Sequence, residues 1–578
     1  MATAIYGVSI GEGIAIGRIH ILKQNNYDDI PNRNLDSEEE VEKEIQRFEK
    51  AILLSRKELE QLRNNIPENA PAELGTFISL HLMLLNDAHI ARDPIDLIEE
   101  QKINAEWALQ QQVAKISQQF DNITDEYLSE RKQDILQITE RIFKNLVGQN
   151  NYLQHLQHDL FDDIILVATD LSPEDTFHFE NERIVAFATD SGSLTSHTSI
   201  LGRNLNIPSV VALKNACNLV HENEWCILDG IDGVLILDAD EFIIEEYKKR
   251  QREYRARKKN LEKIKNSSTT TLDNVDIEIH ANIADPKDMT EVNKNSADGV
   301  GLFRTEFLFM NRDTLPSEDE QYSVYSKVVK KANGKPVVIR TMDLGGDKNA
   351  NWIINSNEKN PSMGLIGVRL SLAEPMMFHT QMRAILRASV HGDVRIMWPM
   401  ISSVTEIRQC LSHLQRVKDE LKEKNKKFDE NIKTGIMIET PAAALVVGTL
   451  LKHTDFISIG TNDLIQYVLA TDRYNNAVSY LYQPTNPAII KLLLHIYRNA
   501  KRLNKPVSIC GEIANDESMT RLLLGIGFRN FSVPPANMLK IKEVILSSDI
   551  KKISSKITPI LRNDNPEKAI TLLEKLNN

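Results

Sequence analysis

The chain has 578 residues, 42% hydrophobic and 26% charged, with a formal net charge of −12. That length allows several domains and a large core, and the composition is ordinary for a globular chain, not a fibrous or disordered one. The acidic balance argues against a nucleic-acid binder and mildly favours a basic protein partner.

The segment Met1-Ala2-Thr3-Ala4-Ile5-Tyr6 lacks a basic region followed by an apolar one, so no signal peptide is expected. Ile5 to Leu22 is rich in Gly and Ile and reads as short strands turning at Gly11-Glu12-Gly13. The period then changes. Ser37-Glu38-Glu39-Glu40 has the form of a capping box, followed at helical spacing by Val41, Ile45, Phe48, Ile52, Leu59 and Leu62. Further helices are expected over 71–89, 104–120 and 124–147, and strands resume at Asp163–Ala168 and Arg183–Ala188. The first strand segment is too short to fold alone. An all-helical insertion within one α/β domain is therefore expected, not two separate domains: 1–36 and 148–239 form the α/β domain and 37–147 the insert. A charged helix from about 240 to 265, punctuated by Phe242, Ile243, Tyr247, Tyr254 and Leu261, would be about 38 Å long. With the polar run Asn266–Thr271 it forms an expected connecting arm, 240–271.

From 275 onwards strands alternate with helices: Val275–Ile283, Gly299–Leu302, Val337–Arg340, Arg395–Pro399, Gly435–Glu439, Phe456–Gly460, Val507–Cys510 and Phe531–Val533. This pattern over 272–578 fits a (β/α)8 barrel of the TIM type, with an open doubly wound sheet as the alternative. No apolar run reaches ~18 residues, so membrane insertion is not expected. Cys217, Cys226, Cys410 and Cys510 show no CxxC spacing, which argues against zinc or disulfide frameworks and for a reducing cytoplasmic setting.

Two features carry chemistry. Gly192-Ser193-Leu194-Thr195-Ser196-His197-Thr198-Ser199-Ile200-Leu201 lies between a strand and a helical spacing begun by Ile200, Leu201 and Leu205. Thr195 or Ser196 is a candidate N-cap. A helix N-terminus favours a phosphate and a neutral imidazole, which suits a histidine that accepts a phosphoryl group. A lone histidine among hydroxyls is more often a surface residue, so the rest of the chain has to decide. The second feature is a set of polar residues at successive strand ends: Gly301-Leu302-Phe303-Arg304-Thr305-Glu306-Phe307, Arg340-Thr341-Met342-Asp343-Leu344-Gly345-Gly346-Asp347-Lys348, Glu439-Thr440-Pro441, Gly460-Thr461-Asn462-Asp463-Leu464 and Cys510-Gly511-Glu512. In a barrel these surround one mouth. Cations, carboxylates and a thiol there suit a small anionic substrate and a hard divalent metal.

Gly192 to Arg203 and each strand-end motif, with Ala470-Thr471-Asp472-Arg473, closely resemble enzyme I of the phosphoenolpyruvate:sugar phosphotransferase system, over essentially the whole chain. The barrel motifs resemble those of pyruvate phosphate dikinase and phosphoenolpyruvate synthase more loosely. The resemblance implies that phosphoenolpyruvate phosphorylates His197, which passes the group to a histidine of the small carrier HPr, held by the helical insert. It implies that Arg304 and Arg340, with Lys348 nearby, hold the phosphoryl oxygens. Asn462 would contact the phosphate and Arg473 the carboxylate, Glu439 and Asp463 would bind Mg²⁺, and Cys510 would protonate the enolate to give pyruvate. A homodimer formed through the barrel is implied too.

Rival readings stand beside this one. A dikinase or synthase needs a nucleotide-binding domain for which no Gly-rich loop is evident. A degenerate enzyme I, binding HPr as a regulatory protein, is the other. Leu194, Ile366 (in Gly364-Leu365-Ile366-Gly367-Val368-Arg369) and Leu136 stand where arginines are usual in that family. A slower enzyme is the expectation, since every residue with an assigned chemical role is present. The nitrogen-type architecture, with a sensory domain ahead of the first strand, is not expected.

Overall fold

The computed structural model describes residues 2–22, 32–64, 72–121, 126–148, 163–171, 183–192, 202, 207–310, 312, 314–344, 360–473, 475 and 477–578. The chain divides into two compact units, Met1–Arg257 and Lys258–Asn578.

Among the described residues the first unit holds a mixed eight-stranded sheet: β1 Thr3–Tyr6, β2 Val8–Gly11, β3 Ile14–Leu22, β4 Ile164–Ala168, β5 Ile184–Thr189, β6 Ser209–Val211, β7 Trp225–Asp229 and β8 Val234–Leu237. Their order is β1-β8-β7-β3-β4-β5-β6-β2. The continuous apolar run of β4 is buried along its whole length, as a parallel strand covered on both faces should be. β1 and β2 stand at opposite edges of the sheet yet are separated in sequence by Gly7 alone. The sheet therefore curls until its edges are one residue apart. A side chain at Gly7 would meet Val210 Cγ1 at 2.8 Å and Leu213 Cδ2 at 2.9 Å, so the closest approach requires glycine.

β3 pairs in parallel with β4, Arg18 opposite Ile164 and Leu22 opposite Ala168. Everything between them is an insertion into one sheet, as the sequence pattern indicates. Its helices are Glu38–Asn64, Ala72–Leu84, Ala88–Ala91, Asp93–Gln101, Ala105–Asp121 and Glu126–Val147. The stripe read from the sequence packs as expected: Phe48 and Leu59 are buried against Leu85, Ile98, Leu109, Ile138 and Ile142. Two details differ. The helix expected over 71–89 stops at Leu84, and Asp87 starts a new turn by accepting the His89 N–H at 2.9 Å. The capping box is shifted on one arm: Ser37 Oγ accepts the Glu40 N–H at 3.3 Å, but Glu40 Oε2 accepts the N–H of Asp36 at 3.0 Å.

The charged helix runs Glu241–Ile264 and has no fully buried residue. Asn266–Thr271 is not the free polar linker the composition indicates. Ser267 Oγ donates to Ile264 O at 2.6 Å, Thr270 Oγ1 to Asp276 Oδ1 at 2.9 Å, and the Thr271 N–H to Val275 O at 3.0 Å. The Leu272 N–H donates to Ser548 O at 2.9 Å, fastening the next residue to the second unit. This turn also explains why the first barrel strand starts at Glu278 and not Val275: Asn274 takes a positive φ and Val275 is spent closing the turn on Thr271.

The second unit is a closed barrel of parallel strands: β9 Glu278–Ile283, β10 Val300–Phe303, β11 Val337–Arg340, β12 Val394–Trp398, β13 Lys433–Ile438, β14 Phe456–Gly460, β15 Val507–Cys510 and β16 Asn530–Val533. β16 pairs with β9, Phe531 opposite Ile279, which excludes the open sheet. The main core fills the space between strands and outer helices. A smaller cluster, Leu302, Val338, Met397, Met437, Phe456 and Cys510, lies apart from it. These residues mark the lumen-facing register, because side chains alternate along a strand.

Candidate active site at the barrel mouth

That register decides which strand-end residues meet. Two residues beyond Val338 on β11 is Arg340, and two beyond Met437 on β13 is Glu439. Cys510 ends β15. Period two thus delivers a guanidinium, a carboxylate and a thiol to the lumen at one rim. Arg304 follows Leu302 in the same phase and is exposed.

Arg340 is buried and doubly paired, Nη2 to Glu306 Oε1 at 2.9 Å and Nη1 to Asp343 Oδ2 at 2.8 Å. Burial disfavours the charged guanidinium, but the carboxylates of Asp343, Glu306, Glu439 and Asp463 outweigh that effect and favour the charge. Its Nε, buried, has no hydrogen-bond partner. Glu439 is fully buried: Oε1 accepts the Met400 N–H at 2.6 Å, while Oε2 has no hydrogen-bond partner. Burial, then Asp343 and Asp463, push its carboxyl well above the usual range, against the opposing pull of Arg340. An orphaned buried oxygen in such a place calls for a cation or a proton. Gly460 supports the former, because a Cβ there would stand 2.8 Å from Glu439 Oε2 and crowd it.

Asp463 lies at the start of the helix Thr461–Leu469, with Arg473 Nη2 3.9 Å from its Oδ1. Asn462 Oδ1 accepts the Glu512 N–H at 2.7 Å, tying the end of β14 to the end of β15. The Tyr482 hydroxyl donates to Asn462 O at 3.4 Å. The Cys510 thiol is buried and donates to Ile459 O at 3.2 Å, with Ser458 Oγ 3.7 Å from the sulfur. Burial pushes the thiol up to about 11, so it stays protonated at neutral pH. Among the described residues no group of three or more His, Cys, Asp or Glu is arranged to hold a metal ion. Glu439 and Asp463 would supply two carboxylates and leave the remaining positions to substrate and water, which is how Mg²⁺ is commonly held.

The structure thus gathers Arg304, Arg340, Glu439, Asn462, Asp463, Arg473 and Cys510 at one rim. His197 and Lys348 lie outside the described residues, as does Leu194. Ile366 is 8% exposed, packed away from solvent, and Leu136 is half-buried. Sequence reasoning quoted Glu306 and Asp343 inside motifs without giving them a role, and it passed over Gln381 and Tyr482. Asp343 could have been found from one rule, that a buried arginine needs carboxylates near its own strand end, and Glu306 from the same rule applied to the end of the neighbouring strand β10. Gln381 lies on an outer helix and carries no local signal.

Comparison with known proteins agrees with the geometry. Residues 258–550 match the PEP-binding domain of PEP-utilising enzymes, 6–131 their N-terminal domain and 161–233 their mobile domain. The chain is 42% identical to a phosphoenolpyruvate-protein phosphotransferase of Cupriavidus necator, covering 100% of both chains. It is 37% identical to one of Priestia megaterium, covering 99% of each. A solution structure of an Enzyme I protein is similar at 31% identity over 43% of this chain and 99% of its own, with a TM-score of 0.35. With full-length relatives at this identity, and with the PEP-binding domain alone spanning half of its residues, the chain belongs to the phosphoenolpyruvate-protein phosphotransferase family.

Proposed function

We propose that this chain takes the phosphoryl group of phosphoenolpyruvate onto His197 and passes it to a histidine of an HPr-type carrier, the first step of a phosphotransferase system. The observation that carries this reading is the mouth of the barrel. There a buried Arg340 lies among carboxylates beside a Glu439 oxygen left open. Such a site is poised for a polyanion accompanied by a cation and is poorly satisfied without one.

In this reading Arg304, Arg340 and Lys348 hold the phosphoryl oxygens, Asn462 contacts the phosphate, and Arg473 the carboxylate. Positioning and charge neutralisation are what phosphoryl transfer chiefly needs. The His197 imidazole attacks phosphorus, the bond from phosphorus to the enolate oxygen breaks, and the enolate carbon takes the Cys510 proton to give pyruvate. A thiol held near 11 is present as the acid at neutral pH. Glu439 and Asp463 would hold Mg²⁺, which when bound would offset negative charge on the substrate oxygens. The α/β domain (1–36 and 148–239) carries His197, the insert (37–147) receives the carrier, 240–271 connects, and 272–578 binds phosphoenolpyruvate and pairs two copies. Four unpaired cysteines fit a cytoplasmic setting.

The test is incubation with phosphoenolpyruvate labelled in the phosphoryl group, plus Mg²⁺. An acid-labile label, absent from His197→Ala and transferable to an HPr-type carrier, is expected. A folded wild-type protein that binds the carrier but takes up no label would overturn the reading in favour of a regulatory role.

A further inference from the structure

We infer that Gln381, on the outer helix Pro375–Ala388, positions the phosphate-handling Arg340 from behind the barrel wall, through Thr305. The inference rests on the reading of Arg340 given above and adds to it a residue that touches no substrate.

The case is a directional chain of buried hydrogen bonds. Thr305 Oγ1 donates to the backbone O of Arg340 at 2.9 Å. With its proton spent there, the hydroxyl can only accept, and Gln381 Nε2 donates to it at 3.0 Å. The second Nε2 hydrogen goes to the Tyr325 hydroxyl at 3.2 Å, whose own proton goes to Gln321 Oε1 at 3.1 Å. Gln381 Oε1 accepts the Met342 N–H at 3.0 Å. Each proton is used once, so the orientation of the amide is fixed. Thr305, Tyr325, Gln321 and Gln381 are each at most 1% exposed, so no water stands ready to replace a missing partner.

The consequence is geometric. Gln381 clamps the turn after β10, through Thr305, to the turn after β11, through Met342. Arg340 lies between these anchors, and Glu306, the residue next to Thr305, accepts both the Arg340 Nη2 and the Asp343 N–H at 2.9 and 3.0 Å. One amide on an outer helix thereby sets the backbone of the arginine and, through residue 306, its side-chain partner. A carboxylate at 381 would keep the shape but offer acceptors to two hydroxyl oxygens whose protons are already committed.

The experiment compares wild type with Thr305→Val, Thr305→Ser, Gln381→Leu and Gln381→Glu in the full-length protein. It measures phosphorylation by phosphoenolpyruvate, transfer from a phosphorylated HPr-type carrier, and melting temperature. Thr305→Val and Gln381→Leu should raise the apparent KM for phosphoenolpyruvate about tenfold with a smaller change in kcat. Gln381→Glu should be at least as impaired, Thr305→Ser near wild type, and transfer from the carrier unaltered in all four. In an Arg340→Lys background Thr305→Val should add little, because both changes act on one group. A lowered melting temperature with an unchanged KM, or full additivity with Arg340→Lys, would make Gln381 and Thr305 mere packing. A wild-type protein that takes no phosphate from phosphoenolpyruvate would instead overturn the functional reading itself.

Discussion

Glu439 and Cys510 show how far a side chain's burial decides its chemistry. Glu439→Gln keeps the shape and the Met400 contact but removes the charge that a cation would meet. Phosphorylation by phosphoenolpyruvate should fall on the order of 10²–10³-fold, while His197 still accepts phosphate from a phosphorylated carrier, a pair of outcomes read with one labelled-phosphate assay. Loss of both activities in a folded variant would contradict the assignment of Glu439 to the first step only. Cys510→Ala removes the proposed acid. Phosphate should still reach His197, slowly, but protonation of the enolate should lose stereochemical control, which the chirality of the methyl group of pyruvate formed in D2O from phosphoenolpyruvate stereospecifically tritiated at C3 would record. Wild-type turnover and stereochemistry in that variant would reduce Cys510 to packing. Arg340, Glu439 and Cys510 were legible in the sequence because a two-residue period and a strand-end position suffice to place them. Gln381 was not legible: its contacts join two turns 76 and 39 residues away, and no periodicity encodes such a meeting.

At the level of elements, Asn266–Thr271 and the outer barrel helices carry the informative departures. Composition marks 266–271 as a linker and a cleavage site, since Ser, Thr and Asn cannot build a core. The same hydroxyls nevertheless close a turn when a strand start lies within reach, and Thr271 ends 3% exposed. A nonspecific protease such as subtilisin, used at limiting dose, should therefore make its first cuts outside 266–271, as mass analysis of the earliest fragments would show. On the outer face of the barrel, His379 Nε2 lies 2.7 Å from His413 Nδ1, linking the helices Pro375–Ala388 and Val404–Glu423. Burial lowers both imidazoles. His413 and the Arg383 and Arg416 guanidiniums add to this at His379, Glu420 opposes it there, and Arg416 adds at His413. A histidine lowered in the folded state binds fewer protons than when unfolded, so its contribution is complete above the ordinary value of 6.5 and declines as pH falls below it. The melting temperature of the unit Lys258–Asn578 should accordingly drop between pH 7 and pH 5, and His379→Gln should flatten that slope. An equal slope in the variant would assign the acid sensitivity to other groups.

For the molecule as a whole, the division at Arg257–Lys258 places the eight-stranded sheet and the barrel in separate compact units. A fragment 1–265 should fold alone, accept phosphate from a phosphorylated carrier and refuse it from phosphoenolpyruvate. A fragment that melts without cooperativity would refute this division of labour. Within the first unit, the helical insert has a further consequence. β3 and β4 run in parallel, so the chain leaving Leu22 must travel back the length of the strand before it re-enters at Ile164. Parallel neighbours ordinarily make that return through a crossover of a dozen or more residues. Here the whole insert serves as the crossover, a structural strut whatever it carries. It follows that the insert can be exchanged but not excised. Splicing 22 to 164 with a turn of two or three residues would demand a hairpin where the sheet has none, whereas a single plain helix of adequate reach should leave the sheet whole and deaf to the carrier.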